Sequence, residues 1–500
     1  MNMEQNEPRS MYLYRFLTRY FLNGDAFILE DDLFSRIHDF RRGLSYSEFC
    51  ADLAEQIKLH KLHREGRRIY LEQTWRYEQS AAEHLAVLMK RNETCEPALP
   101  DALSVDGISL CEEQREAVRL ALSHRLSIIL GGAGTGKTTL IQAIVNSSKL
   151  IERTVLCAPT GKAARNLTRR TGMAARTVHS ALGLIPEEDF LTPVEWEHTS
   201  LVIVDEASML TLEMLAGILC RLNSEARLVL IGDPNQLLSV GSGNVLPDLL
   251  VLGFPNICLK ENHRQDTGCE ALCKNVFHFG KTKTAYDESF QFHRLSENEA
   301  KKQLVDEAVR LYQENASVQV LSPVNAQTEL SVDALNQAIQ KNLNPPEGKL
   351  SIRTKEAVFV EGDRVIINQN DWKQNVCNGD VGILHILTKN EKVVGGSVVL
   401  PDARVAQWSF NDLPKMISLA YAITVHRSQG SEFDYILMPM NKGFGATLHQ
   451  NLIYTAISRA KHRVIIYGDP EAYHLAECRK PKERASMLVT KTRFCSKEIA

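Results

Sequence analysis

The chain is 500 residues long, 44% hydrophobic and 24% charged, a composition that can bury substantial cores in about two to four domains and excludes a disordered or fibrous protein. No apolar run approaches the roughly 18 residues a membrane span needs, and the N-terminal "MNMEQNEPRSMYLYRF" lacks the basic-then-apolar order of a secretory signal, which points to a cytoplasmic protein. A net charge of −3 supplies no overall field that would attract nucleic acid, so any such binding falls to a local groove.

Eleven cysteines without a CxxC pair fit reduced thiols used as small core residues. Cys269, Cys273 and His278 stand at helical spacing and offer three ligands at most, which favours packing over a structural zinc.

In chain order, a mainly helical N-terminal region, residues 1–104, precedes the helix opened by "LCEEQREAVRLAL". Gln114 in that helix stands just before the first strand, where an amide can pair with an adenine edge. "LSIILGGAGTGKTTLIQAIV" then reads as a buried strand, Leu126 to Leu130, a glycine loop, and a helix opening near Gly136. The loop fits GxxxxGK[ST], and Gly131, Gly132, Ala133, Gly134, Thr135, Gly136, Lys137, Thr138 and Thr139 form the candidate phosphate cradle. Missing Cβ atoms let backbone N–H groups face phosphate oxygens; Lys137 is placed for the β and γ phosphates and Thr138 for Mg²⁺.

The buried strand "LVIV" runs into Asp205 and Glu206. An Asp at a strand end can hold Mg²⁺, and the next carboxylate can orient and deprotonate a water; a simple helix cap is the other reading of "DEAS". After "ARLVLIGD", Gln236 leaves a third strand where the γ phosphate should lie. Residues 105–262 thus read as one RecA-like α/β domain that binds and hydrolyses ATP with Mg²⁺.

A second α/β pattern covers residues 263–345 and 412–500, interrupted at 346–411 by short strands with Gly, Asn and Asp turns that read as an inserted small β-barrel. The expected fold is therefore α/β, with two RecA-like domains and the barrel inserted in the second. A nucleotide between two such domains needs a guanidinium delivered across the cleft, and Arg264 in "ENHRQ" and Arg459 in "YTAISRAKHRV" are the candidates. A solvated helix residue is the bland alternative for Arg459, and Arg463 reads as one. In "YAITVHRSQGSEF", apolar ends flank a polar knot: Gln429 and Gly430 are placed near the phosphates, with Thr424 and His426 facing a bound strand; a buried, internally hydrogen-bonded core turn is the alternative, favoured if the other motifs are set aside.

"GGAGTGKTT", "APTGKAARNL", "RTVHSALG", "VDEASM", "IGDPNQLLSVGSGNVL", "HRQ", "VCNGDVGIL", "YAITVHRSQGSEF" and "YTAISRAKHRV" together resemble, in order, the motifs of RecD-type superfamily 1 helicases, the alpha subunit of exodeoxyribonuclease V (RecBCD). The resemblance covers about residues 105 to 470, and "GRRIYLEQTWRYEQSAAEHLAVLM" resembles the segment that precedes the motor. It implies an ATP-driven motor moving 5′ to 3′ on single-stranded DNA and opening duplex ends in double-strand break repair, with RecB-like and RecC-like partners and the N-terminal region as a docking domain. It also implies DNA contacts from Pro159, Thr160, Lys162, Thr177 and His179 in the first domain and from Thr424, His426 and Ser428 in the second. Ala133 departs from the proline frequent at that loop position, without loss of backbone donors. About a hundred residues before the motor favour a subunit over a self-sufficient helicase, and no carboxylate-and-lysine cluster outside the motor marks a nuclease site. A non-motor scaffold gated by ATP is the reading from another class; Lys137, Glu206 and Arg459 argue against it.

Overall fold

The computed structural model describes residues 10–41, 43–92, 99, 103–183, 196, 198–263, 269–354 and 357–498. At the N-terminus, strands Phe27–Leu29, Arg68–Leu71 and Leu62–Glu65 form a small antiparallel sheet, with the middle one in sequence lying at the edge. Helices Met11–Tyr20 and Tyr46–Lys58 cover it, burying Leu13, Leu17, Phe49 and Leu53. Ser45 and Glu48 form a reciprocal capping box that fixes where the second of these helices begins.

The long helix Glu72–Lys90 does not stay with this unit. Tyr77, Ala81, Ala82 and Leu85 join one hydrophobic cluster with Leu215 and Leu219 of helix Leu212–Arg221 and with Leu488 of the C-terminal helix Leu488–Glu498. Fully buried Glu78 accepts a hydrogen bond from Met487 N (2.8 Å) and pairs with Lys491 Nζ (3.1 Å). The helix expected in the N-terminal domain and the chain end expected in the second α/β domain therefore both pack on the first, because apolar faces of this size need a partner layer.

The first α/β unit holds a six-stranded parallel sheet in the order Asn256–Leu259, Leu126–Gly131, Arg227–Gly232, Leu201–Val204, Thr154–Ala158, Ala175–Thr177. Strands Leu126–Gly131 and Leu201–Val204 are buried along their whole length, which is why they read as continuous apolar runs without alternation. The second unit holds a five-stranded parallel sheet ordered Phe290–Arg294, Ala460–Gly468, Phe433–Met440, Val318–Ser322, Ala422–Thr424.

Between these strands the chain makes the small barrel: hairpin Ser351–Arg353/Val358–Val360 and an antiparallel sheet of Arg364–Ile367, Val381–Lys389, Lys392–Val399, Val405–Ser409 and Ile417–Leu419. Its last strand lies beyond residue 411, where the sequence pattern had placed the barrel's end. Val365 pairs with Leu419, and only then does the chain cross into the parallel sheet at Ala422. A strand of three residues is too short for its pattern to tell which sheet it joins. Among the described residues no helix is long and apolar enough to cross a membrane.

Candidate active site

In parallel α/β sheets, ligands gather beyond the carboxyl ends of the strands. Strand order places the phosphate loop after Leu126–Gly131, with the ends of Arg227–Gly232 and Leu201–Val204 beside it. Gly136 has φ 76°, and a Cβ there would lie 2.6 Å from Gln114 Nε2; a Cβ on Gly131 would lie 2.5 Å from Thr135 Oγ1. Lys137 Nζ donates to the carbonyls of Gly131 (2.8 Å) and Gly132 (2.7 Å), so its ammonium lies folded against its own loop. Gln114, expected to read a base, is only 5% exposed: Nε2 donates to Thr135 O (3.3 Å) and Oε1 accepts from Cys111 N (3.2 Å). At the third position of its helix it completes a capping box, and its Nε2 meets the phosphate loop.

Asp205 and Glu206 leave strand Leu201–Val204 together. Glu206 adopts a left-handed φ of 53°, rare for a side-chain-bearing residue, and its N–H donates to Asp205 Oδ1 (2.9 Å). Burial, and then the neighbouring Glu206 charge, push the Asp205 carboxyl up to about 6, with Lys137 acting in the opposite sense. Glu206 Oε2 is buried with no hydrogen-bond partner among the described residues. Thr138, Asp205 and Glu206 line one cleft with Arg170, Gly430 and Arg459. An orphaned carboxylate oxygen, a raised acid and a hydroxyl are hard oxygen donors whose chemistry fits Mg²⁺.

Arg459 follows helix Gln450–Ile457 and is 5% exposed, not solvated; Nε donates to Thr455 O (3.2 Å) and Nη2 to Ser458 Oγ (3.3 Å). Arg463 is half-buried in strand Ala460–Gly468, its guanidinium 5.8 Å from the Tyr435 ring centroid, and so is not the freely solvated residue its basic stretch suggests. Arg264 lies outside the described residues.

The seam between the sheets is held largely by residues the sequence reading did not single out. Tyr454 Oη donates to Asp233 Oδ2 (2.6 Å), a fully buried carboxyl pushed up by burial. Asn451 Nδ2 donates to Gln236 O (2.8 Å), and Thr455 Oγ1 accepts from Leu237 N (2.8 Å). Gln236 is 3% exposed and its Oε1 has no partner among the described residues. The Asp at the end of "LVLIGD" was a visible signal; the polar residues spaced through "QNLIYTA" were masked by their apolar neighbours. Gln429, expected near the phosphates, is 5% exposed and donates Nε2 to Leu237 O (3.0 Å). Gly430 has φ 71°, lines the cleft, and accepts from Asn166 Nδ2 across the seam.

The candidate DNA contacts separate into two groups. In the first unit, Pro159 and Thr160 end strand Thr154–Ala158, with Thr160 Oγ1 capping Ala163 N (3.2 Å). Thr177 caps Ser180 N (3.1 Å), and burial lowers the His179 imidazole. Lys162 sits over the Phe433 ring (5.8 Å), its ammonium pushed down to about 8 by burial and then by Arg364, Arg165 and Arg459. Lys162 and Arg165 of the first unit, Arg364 of the barrel and Arg459 of the second unit thus lie close enough to repel one another, with Arg165 paired to Asp380. In the second unit, Thr424 Oγ1 accepts from Arg427 N (3.3 Å), while His426 and Arg427 are exposed. Ser428 is wholly buried and donates to Val425 O (2.7 Å), so its hydroxyl does not reach a strand. Arg427, passed over in the sequence reading, is the exposed cation of this turn.

The family profiles that match are the AAA domain over residues 109–321, the ATP-dependent RecD-like DNA helicase SH3 domain over 335–395 and the UvrD-like helicase C-terminal domain over 419–467. The chain is 33% identical over 392 residues to the ATP-dependent RecD2 DNA helicase of Deinococcus radiodurans; the match covers 77% of this chain but spans only 52% of that protein. It is 29% identical over 477 residues to the RecBCD enzyme subunit RecD of Mycolicibacterium smegmatis, covering 85% of this chain and 81% of that subunit. Among solved structures, Bacteroides Pif1 bound to ssDNA aligns at 20% identity and a TM-score of 0.46, covering 72% of this chain and 92% of that one.

Proposed function

We propose, for a chain that belongs to the RecD-type helicases, that it is an ATP-driven motor on single-stranded DNA, moving 5′ to 3′ as a subunit of a RecBCD-type complex that opens duplex ends in double-strand break repair. RecB-like and RecC-like chains are the partners in this reading. The observation that carries it is Arg459 of the second α/β unit lining the same cleft as Thr138, Asp205 and Glu206 of the first. Support for the subunit assignment comes from relatives matched over more than four-fifths of both chains that bear the RecBCD subunit name.

In the mechanism we infer, Lys137 leaves the Gly131 and Gly132 carbonyls to meet the β and γ phosphates. Thr138 and Asp205 would hold Mg²⁺, which would supply positive charge against the phosphates. Glu206, with a free buried oxygen, accepts a proton from the attacking water. Arg459 stabilises the charge that develops on the transferring phosphoryl group. Gln236 and Leu237 carry the state of the site to Asn451, Thr455 and Gln429 through the seam hydrogen bonds. Opening and closing the seam then shifts Thr160 and Lys162 relative to His426 and Arg427, gripping the phosphodiester backbone without reading sequence. The stacking to be broken, about 1.4 kcal/mol per base-pair step, is modest for such a motor.

The test is a strand-displacement assay on 5′-tailed and 3′-tailed duplexes, with and without partner subunits. Unwinding of the 5′-tailed substrate alone, lost in Lys137→Gln, is expected; unwinding retained in Lys137→Gln, or preference for the 3′ tail, refutes the reading.

A further inference from the structure

Residues 479–487, between the last strand's helix and the C-terminal helix, cross back over the molecule, and Arg484 is their anchor. Its Nη1 donates to Ser239 Oγ (3.0 Å), Gly241 O (3.3 Å) and Gly243 O (2.9 Å), and its Nη2 donates to Ser239 O. Acceptors from a single turn, 239–243, thus converge on one guanidinium, a planar fork that lysine does not reproduce. The turn is shaped for this: Gly241 and Gly243 have φ 135° and 106°, and a Cβ on Gly243 would lie 2.8 Å from Leu212 Cβ.

On its other side the guanidinium lies against Gly24, where a Cβ would overlap it. Gly24 O accepts from Gly243 N (2.9 Å), and Asp25 receives Lys482 Nζ (2.8 Å) and Ala485 N (2.9 Å). The N-terminal unit, the strap and the turn therefore meet around this side chain, with these contacts beside it.

This turn continues the segment that crosses the seam. Leu237 has both backbone groups taken by the second unit, N–H by Thr455 Oγ1 (2.8 Å) and carbonyl by Gln429 Nε2 (3.0 Å). Ser242 O accepts from Leu212 N (2.9 Å), at the start of the helix that follows Asp205 and Glu206. Segment 233–243 is thus held at one end by the second unit and at the other by Arg484. Two glycines make the turn entropically costly to order, and with no guanidinium its end would keep only the Gly24 O and Leu212 N bonds and would absorb motion instead of transmitting it.

We propose that Arg484 is a positioning residue that makes segment 233–243 a rigid link, so that the nucleotide state reaches the second unit and its exposed His426 and Arg427, and DNA binding reaches the ATP site. The inference rests on the motor reading above. Coupling is reciprocal, so it is legible in ATPase stimulation by DNA.

The experiment measures ATP turnover of the full chain with and without a dT oligonucleotide for wild type, Arg484→Ala and Arg484→Lys, with a thermal melt of each. Basal turnover stays at the wild-type level in both variants, and the stimulation ratio falls about tenfold. Added methylguanidinium restores stimulation in Arg484→Ala, and methylammonium does not; a loss that merely reflected weakened packing would not discriminate between the two ions. Should Arg484→Ala not fold, Arg484→Lys, which keeps the charge beside Asp25, carries the test. A wild-type stimulation ratio in a folded variant overturns this inference alone. Absence of stimulation in wild type overturns the motor reading and this inference with it.

Discussion

Replacing Asp205 by Asn removes a charge that the fold pays to bury. Its carboxyl rises from 3.8 to about 6, driven first by burial and then by Glu206. About two pH units at 1.36 kcal/mol each come to about 3 kcal/mol, and because part of the rise is shared with Glu206, about 1–3 kcal/mol belongs to the site itself. The folded value lies above the unfolded one, so the folded protein holds this proton more tightly. The penalty is absent below 3.8, grows as pH rises toward about 6, and is constant above it. Asn keeps an oxygen for Glu206 N–H, so the local turn survives. Without nucleotide or divalent cation, Asp205→Asn therefore melts higher than wild type at pH 8, by at least about 2 °C, and the gain shrinks toward zero near pH 4. ATP turnover is lost in the same variant, and Mg²⁺ with ATP stabilises only the wild type. The assay is a melt of both proteins across pH, with and without Mg²⁺ and ATP. An Asp205→Asn protein no more stable than wild type at pH 8, or equally stabilised at pH 4, would refute the burial argument.

Arg459→Lys is expected to lower kcat by a factor of about 10² or more while leaving affinity for a fluorescent ATP analogue near wild type, since a point charge does not replace a guanidinium at a transferring phosphoryl group. Steady-state turnover and equilibrium binding separate the two effects, and unchanged kcat removes Arg459 from the mechanism. Tyr454→Phe deprives buried Asp233 of its phenol donor and costs about 1–3 kcal/mol, read as a lower melting temperature together with faster hydrogen exchange at residues 233–237. In DNA-binding titrations over a range of salt, Ser428→Ala leaves affinity unchanged because its hydroxyl is spent on Val425 O. Arg427→Ala weakens binding and reduces the salt slope by about 0.7, the increment of one lost single-strand phosphate contact. Equal effects of the two substitutions would contradict the burial pattern of this turn.

The phosphate loop was legible because its chemistry is local. Gly136 and Gly131 leave room for a backbone that closes on itself within a few residues, and Thr138 is carried into the cleft by covalent continuity. Asp205 and Glu206 were legible for the same reason, since a strand that is apolar throughout and then abruptly acidic marks its own carboxyl end. The two α/β sheets and the inserted barrel could likewise be read from the alternation of strand-like and helix-like runs.

What the sequence by itself determined is thus the inventory of chemistry and its order along the strands. Only the tertiary structure decided where side-chain amides and hydroxyls spend their hydrogen bonds: Gln114 on the phosphate loop, Gln429 on Leu237, Ser428 on its own backbone. It also decided that helix Glu72–Lys90 and the C-terminal helix share the first unit's core, and that Tyr454 meets Asp233 across a separation of 221 residues. The physical reason is that a glycine or a strand-end acid is constrained by its immediate neighbours, whereas a polar side chain takes whichever unpaired group packing brings within about 3 Å, and that group can come from anywhere in the chain.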